Sequence, residues 1–214
     1  TLGCRFVSDN VSTPDATASF TVNVNPFQQL IWPELVQRLR DSQITGIGAK
    51  GLDYAGALQI SVSTGDLSGI SVAARTSAPG GEGRYGLYYT AVPEGTTTTN
   101  TTWLYGLQQN GENRTNLALV NTGETDTTPD TFRLELFNGD TGAKVATVEG
   151  INLGANRWVQ KGMILSQYAP GVTQGYARIT RTAGNNPFIA YAVINDGANP
   201  GDRSGDGAFI ASAP

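Results

Sequence analysis

The sequence predicts an all-β protein: two related antiparallel β-sandwich domains of Ig-like type, produced by an internal duplication, with one short helix. Three observations carry that expectation. Turn residues are abundant, with 27 glycines and 10 prolines in 214 residues, alongside many Thr, Val and Asn and few Lys or Glu. Such a composition favours short strands joined by tight turns. Several segments alternate apolar and polar residues with the period of two that a half-buried strand requires. Finally, the order of these segments recurs along the chain.

The clearest alternating segments lie at 20–24 (Phe-Thr-Val-Asn-Val), 58–62 (Leu-Gln-Ile-Ser-Val), 132–136 (Phe-Arg-Leu-Glu-Leu) and 177–180 (Ala-Arg-Ile-Thr). Residues 33–40, Pro-Glu-Leu-Val-Gln-Arg-Leu-Arg, read as about two turns of helix, with Pro33 suited to the first turn and Leu35, Val36 and Leu39 on one side. A helix this short is expected to cap the end of a sandwich.

The repeat pairs Cys4-Arg-Phe-Val-Ser-Asp-Asn, Pro14-Asp15 and strand 20–24 with Leu117-Ala-Leu-Val-Asn-Thr-Gly, Pro129-Asp130 and strand 132–137. It continues with Gly56-Ala-Leu-Gln-Ile-Ser-Val against Gly175-Tyr-Ala-Arg-Ile-Thr-Arg, then strand 70–74 against 188–193 and strand 85–92 against 208–212. The second copy carries an added hairpin, turning at Gly139-Asp-Thr-Gly142 into strand 144–148. Between the copies lies Glu94-Gly-Thr-Thr-Thr-Thr-Asn-Thr-Thr, a low-complexity stretch with nothing apolar to bury. The expected organisation is a first unit at 1–95, a Thr-rich linker at 96–102 and a second unit at 103–214.

Charge and residue usage narrow the function classes. Only 15% of residues are charged and the formal net charge is −4, so no basic surface suited to phosphates or anionic lipid is expected. Nucleic-acid partners are not expected, nor is a transmembrane segment, because no apolar run reaches about 20 residues. The chain has no His, one Cys and one Met. Without His the ordinary Ser-His or Cys-His couple cannot form, and zinc loses its commonest nitrogen ligand. No catalytic residue is assigned, and the chain reads as a non-enzyme. Cys4 has no intrachain partner and reads as a buried strand residue, with lipid attachment at Leu2-Gly3-Cys4 as the alternative.

The acidic, Gly-rich loop at 195–207 concentrates oxygen donors in Asn195, Asp196, Asn199, Asp202 and Asp206. Calcium takes six to eight such ligands, and a flexible loop can supply them. Arg203 can instead neutralise a carboxylate, and Asp and Gly also abound in metal-free turns. Calcium is therefore one of two open readings. A second acidic loop, Glu124-Thr-Asp126-Thr-Thr-Pro-Asp130, reads as a solvated connection. Trp32, Trp103 and Tyr105 are candidates for a carbohydrate-binding platform if exposed, and core or interface residues if buried. Arg75 and Arg114 are expected to tie strand ends through their planar guanidinium groups.

Three stretches carry a resemblance: Gly56-Ala-Leu with Ala74-Arg75-Thr76, Asn113-Arg-Thr-Asn-Leu-Ala-Leu-Val-Asn-Thr-Gly, and Tyr191-Ala-Val-Ile-Asn-Asp196. They resemble the tandem sandwich modules of large secreted bacterial proteins, acidobacterial ones especially. The resemblance implies an extracellular or cell-surface setting and brings no catalytic assignment. The expected role is a structural or adhesive module, associated with copies of itself or with a larger surface chain through β-strand contacts. The opening, Thr1-Leu-Gly-Cys-Arg-Phe-Val, falls directly into an apparent strand suited to such a contact. A carbohydrate-binding module is the alternative, and a hydrolase is a weaker one.

Overall fold

The computed structural model describes residues 1–9, 17–47, 55–62, 65, 68–80 and 83–213. The Pro14-Asp15 pair of the first copy lies outside them. Strands hold 52% of the chain and helices 6%, far below the roughly one-third helix of an average globular protein. The chain divides into two compact units, Thr1–Ile70 with Asn156–Trp158, and Ser71–Ala155 with Val159–Pro214.

In the first unit, β1 (Leu2–Ser8) lies between β2 (Thr17–Val22) and β3 (Gly56–Val62), antiparallel to both. Register explains why the sheet has one apolar face. Leu2 pairs with Val22 and Val62, Cys4 with Phe20 and Ile60, and Phe6 with Ala18 and Leu58, so the alternating apolar residues of all three strands share a side. The helix α1 (Leu35–Asp41) packs there, where Leu39 is buried with Phe6 and Ala18 while Leu35 and Val36 contribute at the margin. Burial pushes the Cys4 thiol up from its usual range, as expected of an inert strand cysteine. Asn156 and Arg157 join this unit through bonds from Gln59 Nε2 to Asn156 Oδ1 and from Arg157 to the Ser8 carbonyl. Because β1 is hydrogen-bonded on both sides, the opening segment is the middle strand of its sheet.

The second unit contains two four-stranded sheets. One orders β10 (Trp158–Lys161), β7 (Asn113–Asn121), β12 (Phe188–Asp196) and β13 (Gly207–Ala211); the other orders β6 (Thr101–Gln108), β11 (Gln174–Ala183), β8 (Asp130–Asn138) and β9 (Lys144–Leu153). Their inner faces meet in one core. Leu104, Leu107, Leu134, Leu136 and Ile179 come from the second sheet, Leu117, Leu119 and Ala192 from the first. Phe132 and Phe188 join the layers edge to face, with centroids 5.0 Å apart. A second helix, α2 (Ile164–Tyr168), which the sequence did not signal, buries Ile164 and Leu165 against this core. The added hairpin forms as expected: β8 and β9 pair antiparallel across a turn in which Gly142 takes φ 71°.

The hairpin β4 (Ala73–Gly80) and β5 (Gly83–Thr90) belongs to this second unit. Tyr89 meets Tyr191 and Phe209 edge-on at 5.9 and 5.8 Å, and the Gly86 N–H donates to Asp206 Oδ1. A Cβ at Gly86 would lie 1.9 Å from the Thr76 carbonyl oxygen, so only glycine fits that crossing. The division therefore falls between Ile70 and Ser71, where the sequence had placed residues 71–95 with the first unit. The Thr-rich stretch at 96–102 is likewise no linker. Thr98 exchanges two backbone bonds with Phe188, Thr97 and the Gly95 N–H donate to Glu124, and Thr102 is buried with its hydroxyl on the Ala213 carbonyl. A threonine hydroxyl satisfied in this way is cheap to bury.

Strand pairing does not repeat between the proposed copies. β1 pairs directly with β2 and β3, whereas the strands matched to them, β7, β8 and β11, are divided between two sheets, with β7 in one and β8 and β11 in the other. The final hairpins, β4–β5 and β12–β13, do share antiparallel pairing of consecutive strands. The matched sequence order thus reflects similar strand and turn chemistry more than a common topology.

Candidate functional site

Alternation along β6, β11 and β8 sends Trp103, Tyr105, Tyr176, Arg178, Glu135 and Phe137 to the side of their sheet opposite the core. Register then gathers them. Tyr176 pairs with Tyr105 on one flank and Phe137 on the other, and Arg178 pairs with Trp103 and Glu135. The result is a four-ring cluster on a solvent-facing sheet. Phe137 and Tyr176 are parallel within 2° at 4.9 Å, too close to lie side by side in one plane, so they stack with offset faces. Trp103 and Tyr105 are parallel within 10° at 6.2 Å, and Tyr105 remains 54% exposed.

Beside the rings runs a row of charge. Glu135 is only 3% exposed, and its carboxylate accepts from Arg178 at 2.6–2.7 Å and from Lys144 at 3.2 Å, with Arg133 at 3.6 Å. Burial alone would push this carboxyl up. The bonds from Arg178 and Lys144, with the charges of Arg178 and Arg133, outweigh burial and hold it below its ordinary value. Arg178 also lies over Trp103, 5.4 Å from the ring centroid, so Glu135 fixes the cation that braces the indole.

The third candidate aromatic, Trp32, belongs to the first unit and is not part of this face. Its ring is flanked by Phe20 at 5.7 Å and by the Arg38 guanidinium at 4.4 Å. Sequence reasoning missed Tyr176, Phe137 and Arg178. Their outward parity was legible in the alternation, but their convergence on Trp103 depends on cross-strand register, which no local pattern specifies.

The acidic loop is built around arginine. Arg114, 8% exposed, directs Nη1 to the carbonyl oxygens of Asp196, Gly197 and Asn199. Asp196 accepts from the Ser204 N–H and hydroxyl and pairs with Arg203 at 2.9 Å; these bonds, with Ser204 first, hold its carboxyl below the usual range. Asp202 accepts from the backbone and side chain of Asn199, and Asp206 from Gly86. Asn195 turns back onto the Val193 carbonyl. Asp196, Asp202 and Asp206 are thus each engaged by guanidinium, hydroxyl or amide donors of the protein itself. No group of three or more His, Cys, Asp or Glu side chains suited to a metal occurs among the described residues.

The second acidic loop is ordered rather than merely solvated. Buried Asn186 accepts from the backbone of Thr125 and Asp126 and donates to Asp126 and the Thr128 carbonyl. Bonds from Thr128 above all, and then from Asn185 and Asn186, pull the Asp126 carboxyl down to about 2. Asp130 is fully buried with Oδ1 accepting from Asn185, and burial pushes its carboxyl up.

Among the described residues no helix is long and apolar enough to cross a membrane. Compared with family models, with curated proteins and with solved structures, the chain matches none.

Proposed function

We propose that the chain is a non-catalytic, extracellular binding and adhesive module that holds a polysaccharide across the outer face of the β6-β11-β8-β9 sheet. The observation that supports this most directly is the gathering of Trp103, Tyr105, Tyr176 and Phe137 on one solvent-facing surface. Exposed aromatic groups cost free energy unless something covers them, and sugar C–H faces pack well on such rings. Charged and hydroxyl groups alongside, Arg178, Thr101 and Thr180, supply directional bonds to sugar hydroxyls. The exterior setting rests on the resemblance to secreted tandem modules.

Trp103 gives the test its own signal. Titration with soluble polysaccharides should change tryptophan emission, and Tyr105→Ala should weaken binding about tenfold, or about 1.4 kcal/mol, without lowering the melting temperature. Unchanged emission across neutral, acidic and amino-sugar polymers would defeat the reading. Self-association through sheet edges is the second reading. It draws on the single-layered sheet of the first unit, whose β2 and β3 each pair on one side only among the described strands. A concentration-independent monomer in sedimentation equilibrium would remove it.

A further inference from the structure

The opposite side of the second unit's sandwich holds a different surface. The β4–β5 hairpin folds over the outer face of the β10-β7-β12-β13 sheet and leaves a groove of about 300 Å³ open to solvent, the lower end of the size range of small-molecule sites. Asn116, Gln160 and Asn195 line it from the sheet, Thr76, Tyr85 and Tyr89 from the hairpin. None of the lining residues is charged.

Its polar groups have bonding capacity to spare. Asn116 accepts the Met163 N–H through Oδ1, while its amide NH₂ has no protein partner among the described residues. Asn195 donates to the Val193 carbonyl, and its Oδ1 is unpartnered in the same sense. No described partner engages the Gln160 side chain. Burial pushes the Tyr89 phenol up against the opposing effect of its side-chain hydrogen bond with Thr76, so its ring serves as a neutral apolar wall with Leu87.

We infer that this groove is a second binding site and that its ligand is a neutral saccharide. A charged ligand would find no counter-charge among the lining residues, and a purely apolar one would desolvate three amides without replacing their bonds. A neutral sugar presents both hydroxyls for the amides and an apolar ring face for Tyr85 and Tyr89. The site is independent of the aromatic face, since the two lie on the outer sides of different sheets.

Side-chain amide signals in a ¹⁵N-correlated NMR titration of the whole chain provide the test, with neutral hexasaccharides of glucose, N-acetylglucosamine, mannose and galactose as probes. At least one should shift the NH₂ signals of Asn116, Gln160 and Asn195, and Gln160→Ala and Asn195→Ala should each weaken that response about tenfold at unchanged melting temperature. Trp103→Ala should leave it intact, which separates this site from the aromatic face. The inference is overturned if no hexasaccharide at millimolar concentration moves these signals, if the response disappears in Trp103→Ala, or if only an extended peptide elicits it.

Discussion

The two units bury their apolar residues by different means. In the first, one three-stranded sheet sets its apolar face against a seven-residue helix, and Phe6, Ala18 and Leu39 are the buried members of the described cluster. In the second, two four-stranded sheets face each other, and whole rows of inward residues from both are removed from water. Free energy from burial scales with area, so a second sheet multiplies what a helix only begins. Large outward surfaces can then be given to other tasks. Both proposed sites lie on the second unit, whose core is deep enough to hold side chains in place on either outer face.

The sharpest way to probe this contrast is to cut each core at its largest ring. Phe132→Ala removes half of the edge-to-face pair between the sheets and should destabilise the second unit by about 3–5 kcal/mol. With Trp32 and Trp158 replaced by Phe, Trp103 alone reports that unit in denaturant titrations. Phe6→Ala should act on the first unit and leave the Trp103 transition in place, because substitutions in separate cores that share no partner add independently. A shift of the Trp103 midpoint by Phe6→Ala would show that the units unfold as one.

Next in size is the arginine beneath the acidic loop. Arg114→Ala strips three carbonyl oxygens of their common donor and should cost about 2–3 kcal/mol, in line with loss of buried bonds to a charged group. Faster amide exchange at 196–206 should accompany the loss. Unchanged stability would mean that Arg203 and Ser204 alone order the loop.

How far the sequence could carry these conclusions follows from which forces are local. The alternation at 132–136 and 177–180 correctly identified strands and their inward residues, because the period of two is a property of each strand by itself. The helix at 33–40 was legible for the same reason, as was the tying role of Arg114. The Thr-rich stretch misled because hydroxyls that look solvated along the chain can be satisfied by distant carbonyls, as Thr102 is by Ala213. The apparent duplication is not matched by strand pairing, because segment order says nothing about which edge a strand joins. The acidic loop was ambiguous for a chemical reason: Asp, Asn and Gly in a tight turn are the same residues whether the positive charge they meet is a metal or a guanidinium.

Glu135 offers a smaller and pH-dependent effect. Its folded pKa lies below the ordinary value, so its contribution is complete above about pH 4.3, the unfolded value, and drains away as pH falls through the folded value. Glu135→Gln should cost about 1–2 kcal/mol at neutral pH, because the surrounding cations are a third or more exposed and partly screened. Below the folded pKa the variant and parent should converge. A constant difference from pH 7 to pH 2 would assign the effect to packing instead of charge.

The smallest expected effect is that of calcium, and it separates an arginine-organised loop from a metal-organised one. A site with a dissociation constant of about 0.1–1 mM, typical of extracellular calcium modules, would add at least about 1.4 kcal/mol at tenfold excess over that constant. For a unit of this size such a gain raises the melting temperature by several degrees. The loop's carboxylates and carbonyls already face Arg114, Arg203, Ser204 and Asn199, so a cation would have to displace positive charge and break existing bonds before gaining its own. Calorimetry with and without millimolar calcium should therefore give the same second-unit transition. If the transition rises with calcium in the parent and the rise is lost in Asp196→Asn, the loop rearranges around a metal, and Arg114 is a placeholder for the cation rather than its replacement.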